Sequence, residues 1–143
     1  MLEGLLEYQR AKGPDAAVTA ARARGEEYLL ERRLFRSRST GKVIDWDWTR
    51  FSFPPRWHYD VLRGLEYFRG TGASPDQRCE EAIELLLSKR RADGRWALEN
   101  PHEGDVHFHI DSGDGTASRW NTLRALRVLR WYDRASAAAD PSS

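Results

Sequence analysis

Three stretches of the chain stack on one another: Leu2–Gly13 reads LEGLLEYQRAKG, Leu62–Gly72 reads LRGLEYFRGTG, and Leu123–Arg134 reads LRALRVLRWYDR. Their first residues stand 60 and 61 positions apart. A second set interleaves with the first: RGEEYLLERR at Arg24–Arg33 and RCEEAIELLL at Arg78–Leu87, 54 apart. Pro55-Arg56-Trp57 and Ser118-Arg119-Trp120 form a third pair, each opening a helical stretch. Self-similarity at a fixed period, with two helical segments in each unit, is the pattern of a helical-hairpin repeat.

The helices follow from apolar spacing. Cys79, Ala82, Ile83, Leu86 and Leu87 make a stripe at i, i+3, i+4, i+7 and i+8, with Glu80, Glu81, Glu84 and Lys89 off it. Ser74 as N-cap, Pro75 in the first turn and Gln77 as capping-box partner place that helix at about 75–91. In Leu123–Tyr132 apolar residues cover most of the circumference, which predicts a helix buried on nearly all sides. Amphipathic outer helices therefore alternate with more apolar inner ones. Links from inner to outer helices are short, as at 70–73. Links from outer to inner helices are long, at 37–54 and 92–117, and long loops in a compact domain are commonly functional.

The expected fold is all-α: an incomplete α/α-toroid of about two and a half αα-hairpins over residues 1–134. The small-residue stretch 135–143 reads as a disordered tail. By the repeat, Met1 falls inside an inner helix. The chain is thus expected to be the C-terminal part of a larger toroid, completed by the missing N-terminal part or by self-association.

Composition narrows the function. Twenty-three basic and 22 acidic side chains leave a net charge of about +1, which gives no support to a nucleic-acid partner. No apolar run approaches the roughly 20 residues of a membrane span, and no signal peptide stands at the start, so the expected location is cytoplasmic. The single cysteine, Cys79, forms no internal disulfide and no cysteine zinc cluster.

Asp93-Gly94-Arg95-Trp96 after an outer helix, a long loop, and Ser118-Arg119-Trp120-Asn121-Thr122-Leu123 opening an inner helix resemble the squalene–hopene cyclase and prenyltransferase class of α/α-toroids. There a Q…GxW turn closes each outer helix, and the N-terminal ends of the inner helices face a central cavity. The resemblance covers Arg24 to Tyr132. The pattern departs where Arg90 stands near the glutamine position and where Gly41-Lys42-Val43 replaces GxW. The cyclases' Asp-x-Asp-Asp acid motif has no copy; its nearest string is Asp45-Trp46-Asp47-Trp48. The resemblance implies an uncharacterised squalene-cyclase-like protein acting on, or binding, an apolar isoprenoid-like small molecule. The alternatives are a non-catalytic toroid scaffold or ligand-binding module, and a carbohydrate-active (α/α)-barrel remnant.

Four sets of residues carry candidate chemistry. His58, Tyr59 and Asp60 at the start of an inner helix suit general acid–base work, or capping and packing. Asp45 and Asp47, flanked by Trp46 and Trp48, imitate a carboxylate raised in pKa by aromatic surroundings, or else the Trp-rich loop is a sugar platform or merely covers the core. Trp57, Trp96, Arg119, Trp120 and Asn121 are candidate cavity-lining residues, with Arg on Trp equally an architectural contact. His107, His109 and Asp111 alternate in the loop HEGDVHFHIDSGDG, so an extended segment would turn them to one side, as ligands for a divalent metal such as zinc. Equally, that loop is polar because its backbone must be satisfied, and no cofactor is then expected.

Overall fold

The computed structural model describes residues 1–101, 104, 108–111 and 113–139, the side chains of Ser136 and Ala139 excepted. The protein is mostly helical. Five α-helices carry the chain: α1 (Leu2–Lys12), α2 (Ala16–Leu30), α3 (Val61–Gly70), α4 (Glu80–Ser88) and α5 (Arg119–Ala139). A short antiparallel pair, β1 (Trp96–Ala97) with β2 (Ala117–Ser118), ties the long link before α5 to that helix's start.

Local chemistry sets the ends. Asp15 caps α2 by accepting from Val18 N at 2.9 Å, and Asp60 caps α3 by accepting from Arg63 N at 2.8 Å. Gly13, at φ +89°, turns the chain between α1 and α2 where a side chain would be strained. The expected helix over 75–91 is shorter. Asp76, not Ser74, supplies the cap by accepting from Arg78 N, a single 3₁₀ turn covers Gln77–Cys79, and α4 ends at Ser88. At the other end, α5 continues to Ala139, five residues into the stretch whose composition suggests a disordered tail; residues 140–143 lie outside the described residues.

Cross-contacts fix the helix directions. Glu3 pairs with Arg63 and Arg10 reaches the Gly70 carbonyl, so α1 and α3 run the same way. Arg124 pairs with Glu66 and Trp131 Nε1 donates to the Ala73 carbonyl at 2.8 Å, so α5 also runs with α3. The hairpin partner α2 runs against α1, with Gln9 on Thr19 and Leu2 on Gly25. Between them the helices enclose one apolar cluster, including Leu34, Phe51, Leu62, Leu65, Leu86, Trp96 and Val128. Each such side chain contributes roughly 1.5–3 kcal/mol when fully buried.

The expected all-round burial of α5 does not hold. Ala125 and Val128 are inaccessible, but Leu123 and Leu126 are nearly half exposed, because no described element covers that face. Leu87, placed on the buried stripe by its spacing, is likewise exposed, while Cys79, Ala82, Ile83 and Leu86 pack inward. The stripe is one residue narrower than the pattern suggests.

Candidate functional site

The N-terminal ends of α3 and α5 meet over a buried polar network. Asp60 is 1% exposed. Its Oδ1 accepts from Arg63 N, and its Oδ2 accepts from Ser52 N at 3.1 Å. Across from it lies Arg124, whose Nε donates to Glu66 at 2.6 Å and whose Nη1 donates to the Ser52 carbonyl and to Asn121 Oδ1. Asn121 Nδ2 in turn donates to the carbonyls of Phe51 and Ala97, both at 3.0 Å. Burial pushes the Asp60 carboxyl up, against the pull of Arg124 and two backbone amides. The network joins the 49–54 segment to both helices, and its long-range contacts gave no signal in the spacing of residues.

Tyr59 is held just as firmly. Its hydroxyl donates to the Leu34 carbonyl at 2.8 Å, and its ring meets Trp48 edge-on at 5.1 Å. Leu34 sits at φ +71°, a left-handed conformation unusual for a leucine, and Tyr59 pins its carbonyl there. Desolvation and the neighbouring Asp60 charge raise the phenol far above its ordinary range. His58 stands at the surface, its ring 5.4 Å from that of Trp57, and its carbonyl accepts from Arg63. The three consecutive residues are thus adjacent, but only Asp60 is deeply buried, and it is spent on capping.

The other candidates are dispersed. Asp45 and Asp47 lie exposed on a 3₁₀ turn, where Asp45 accepts from the Asp47 amide at 2.9 Å and Asp47 lies 3.5 Å from Arg50. Trp46 is 72% exposed, so no aromatic enclosure surrounds either carboxylate. Trp96 belongs to the core, donating its indole N–H to the Leu86 carbonyl at 2.7 Å. Trp120 stacks on Phe53 with centroids 5.2 Å apart, and its indole and Arg119 both donate to the Ile110 carbonyl. Asn121 is internal to the polar network. Of the proposed cavity residues, Arg119 lines a cleft of about 590 Å³, and Trp57 lines the opening with the most apolar wall.

That opening is a groove of about 880 Å³ between the start of α1, the second half of α2 and the N-terminal half of α3. Its surface is mainly apolar: Leu2, Leu5, Leu29 and the rings of Tyr28 and Trp57, with Tyr59 and Tyr67 deeper. Tyr67 donates to Glu26 at 2.6 Å and accepts from Arg22, and burial pushes its phenol up to about 12. Glu3 and Arg63 at one edge neutralise each other, whereas Arg24 at the rim makes no ion pair with the described residues. In the sequence Leu2, Leu5 and Tyr28 read as ordinary helix-face positions, and only the fold brings them to one groove.

In the histidine-rich loop, His107 lies outside the described residues. His109 and Asp111 border a separate cleft, with Asp111 accepting from the Ser118 hydroxyl. Among the described residues no three His, Cys, Asp or Glu side chains come together as a metal-holding group. Cys79 is buried in the core, where desolvation raises its thiol to about 11. Among the described residues no helix is long and apolar enough to cross a membrane.

A scan against protein-family models gives no match, and searches of curated proteins and of solved structures give none either.

Proposed function

We propose that the chain is a non-catalytic module of the α/α-toroid type that binds an apolar, isoprenoid-like small molecule in the groove between α1, α2 and α3. The observation that carries this reading is the groove itself. Its volume lies inside the range of small-molecule sites, and its lining is aliphatic and aromatic with few polar groups. The free guanidinium of Arg24 at the rim offers a place for the polar end of such a ligand.

Binding is favoured over catalysis by the state of the buried acid. Asp60 does not line the groove, and its two carboxyl oxygens are held by the backbone amides of Arg63 and Ser52, so it is not placed to protonate a guest there. The toroid reading draws support from the shared direction of α1, α3 and α5 and from the turn after α4. There Gly94 takes φ +78°, Trp96 folds back onto the Leu86 carbonyl, and Arg90 lies over the Trp96 ring, standing in for the missing glutamine.

The test is titration with farnesol, followed by isothermal calorimetry, on the wild-type chain, Tyr28→Ala and Leu5→Gln. One saturable site, weakened at least tenfold by either substitution, is the expected result. No saturable binding, or an affinity indifferent to both substitutions, overturns the proposal.

A further inference from the structure

A second opening, of about 650 Å³, lies between the C-terminal end of α3 with the 72–75 link and the second half of α5. Its chemistry is the opposite of the first. Arg127, Arg130, Trp131 and Arg134 recur along one face of α5 at i, i+3, i+4 and i+7, and Arg69 faces them from α3. Among the described residues no acidic side chain lines the cleft.

Nine of the twenty arginines pair with no carboxylate among the described residues, and four of those nine gather in this cleft. Eleven of the chain's arginines, Arg36, Arg63, Arg78 and Arg124 among them, lie within ion-pair distance of a carboxylate. None of Arg69, Arg127, Arg130 and Arg134 pairs with a carboxylate among the described residues. Arg69 Nε is buried with no hydrogen-bond partner among the described residues, a state it shares with Arg124 Nη2 at the other end of the helices. A buried, unsatisfied guanidinium donor is costly unless something accepts from it, which singles this position out from a merely solvated basic face. Trp131 holds the wall in place through its bond to the Ala73 carbonyl.

We propose that this cleft binds a small molecule bearing a diphosphate or longer phosphate chain. Guanidinium forks match phosphate oxygens two by two, and four of them on two helices exceed what a single carboxylate could neutralise. The cleft has the dimensions of a small-ligand site, while the chain's near-zero net charge provides no extended basic surface for a nucleic acid.

Inorganic pyrophosphate is the probe. By calorimetry in about 20 mM salt it should bind the full chain one to one and more tightly than orthophosphate, with affinity falling as salt rises. The double variant Arg130→Gln/Arg134→Gln should lose at least tenfold in affinity. Arg127→Gln, a milder change, should lose a smaller factor, and Arg95→Gln, outside the cleft, should lose none. Unchanged helical circular dichroism establishes that each variant is folded. The proposal is overturned by absence of pyrophosphate binding, by an undiminished affinity in the double variant, or by an equal loss in Arg95→Gln. Capture by vesicles carrying a bisphosphorylated inositol headgroup without any binding of free pyrophosphate would also overturn it. Farnesol binding in the first groove is read separately, so either proposal can fail alone.

Discussion

The two ends of the same parallel helices are built on opposite electrostatic rules. At the N-terminal ends, charge is met by charge: Glu3 by Arg63, and Asp60 by Arg124, which also holds Glu66. Toward the C-terminal ends, Arg69, Arg127, Arg130 and Arg134 share a cleft that no acid among the described residues lines. The first arrangement is paid for by desolvation and fixes geometry. The second leaves repulsion in place, relieved in part by the negative end of α3. A region whose cations are paired with carboxylates reads as structure, and a cluster of cations without them reads as a place for an anion.

The comparison is broken most forcefully at Asp60. Asp60→Ala removes the α3 cap and leaves Arg124 facing the gap with only Glu66 to balance it. Losing one partner of a buried pair costs about 3–5 kcal/mol. Urea denaturation should show that loss as a lower midpoint with helical content retained at zero urea. A change below about 1 kcal/mol would mean that the network is decoration and the N-terminal ends are not held by charge.

Next in size is Gly64→Ala. A Cβ there would stand 2.6 Å from the Tyr59 hydroxyl and 3.0 Å from a Leu34 methyl. Overpacking of this kind costs about 1–3 kcal/mol. Because Gly64 and Tyr59 both border the apolar groove, farnesol affinity should fall with stability, while pyrophosphate binding at the far end should not change. Parallel loss of both ligands would erase the distinction between the two ends.

How much of this was readable in advance depends on distance along the chain. The helical segments of the repeat were legible because each depends on neighbours three and four residues away, and Asp60 as a cap was legible for the same reason. The Asp60–Arg124 network was not: Arg124 meets Glu66 and Ser52 across 58 and 72 residues, and no local pattern encodes such pairs. Asp45 and Asp47 alternate with Trp46 and Trp48, but alternation along the chain does not enclose a carboxylate. An Asx turn, with the Asp45 carboxylate on the Asp47 amide, keeps both in solvent instead. The exposed face of α5 fell outside periodicity altogether, since a pattern of apolar residues does not say which side lacks a neighbour. The arginine face was in plain sight at 127, 130 and 134, but only the fold brings Arg69 to it.

A gentler probe of the N-terminal ends is pH. Hydrogen bonding to Arg63 holds the Glu3 carboxyl below its usual 4.5. A lowered acid stabilises the fold at pH above its unfolded value and loses that contribution as pH falls through its folded value. The Asp60 carboxyl is shifted upward by burial, so its sign is reversed: its contribution is present in acid and lost as pH rises through the folded value. The two contributions therefore change with pH in opposite senses. Glu3→Gln should reduce the rising component by about 0.2–1 kcal/mol, the worth of a partly exposed pair, leaving the part that Arg78 confers on Glu27 and Asp76. A profile unaltered by Glu3→Gln would show that the Glu3–Arg63 pair does not couple α1 to α3.

The smallest effect is expected at the other end, and its sign matters more than its size. Arg130 lies three residues after Arg127 and four before Arg134, so both pairs are like charges on one helix face. Each such pair is destabilising by about 0.2–0.5 kcal/mol. Arg130→Gln should therefore stabilise the chain slightly, in contrast to every substitution at the N-terminal ends. Because these side chains are exposed, the gain should shrink as salt is raised from about 20 mM to 500 mM and the repulsion is screened. Added pyrophosphate should reverse the order, making the wild-type chain the more stable of the two, since only the intact cleft draws binding energy from the anion. A stability loss on Arg130→Gln in the absence of anion would place these arginines with Arg63 and Arg124, as residues that hold the fold rather than await a ligand.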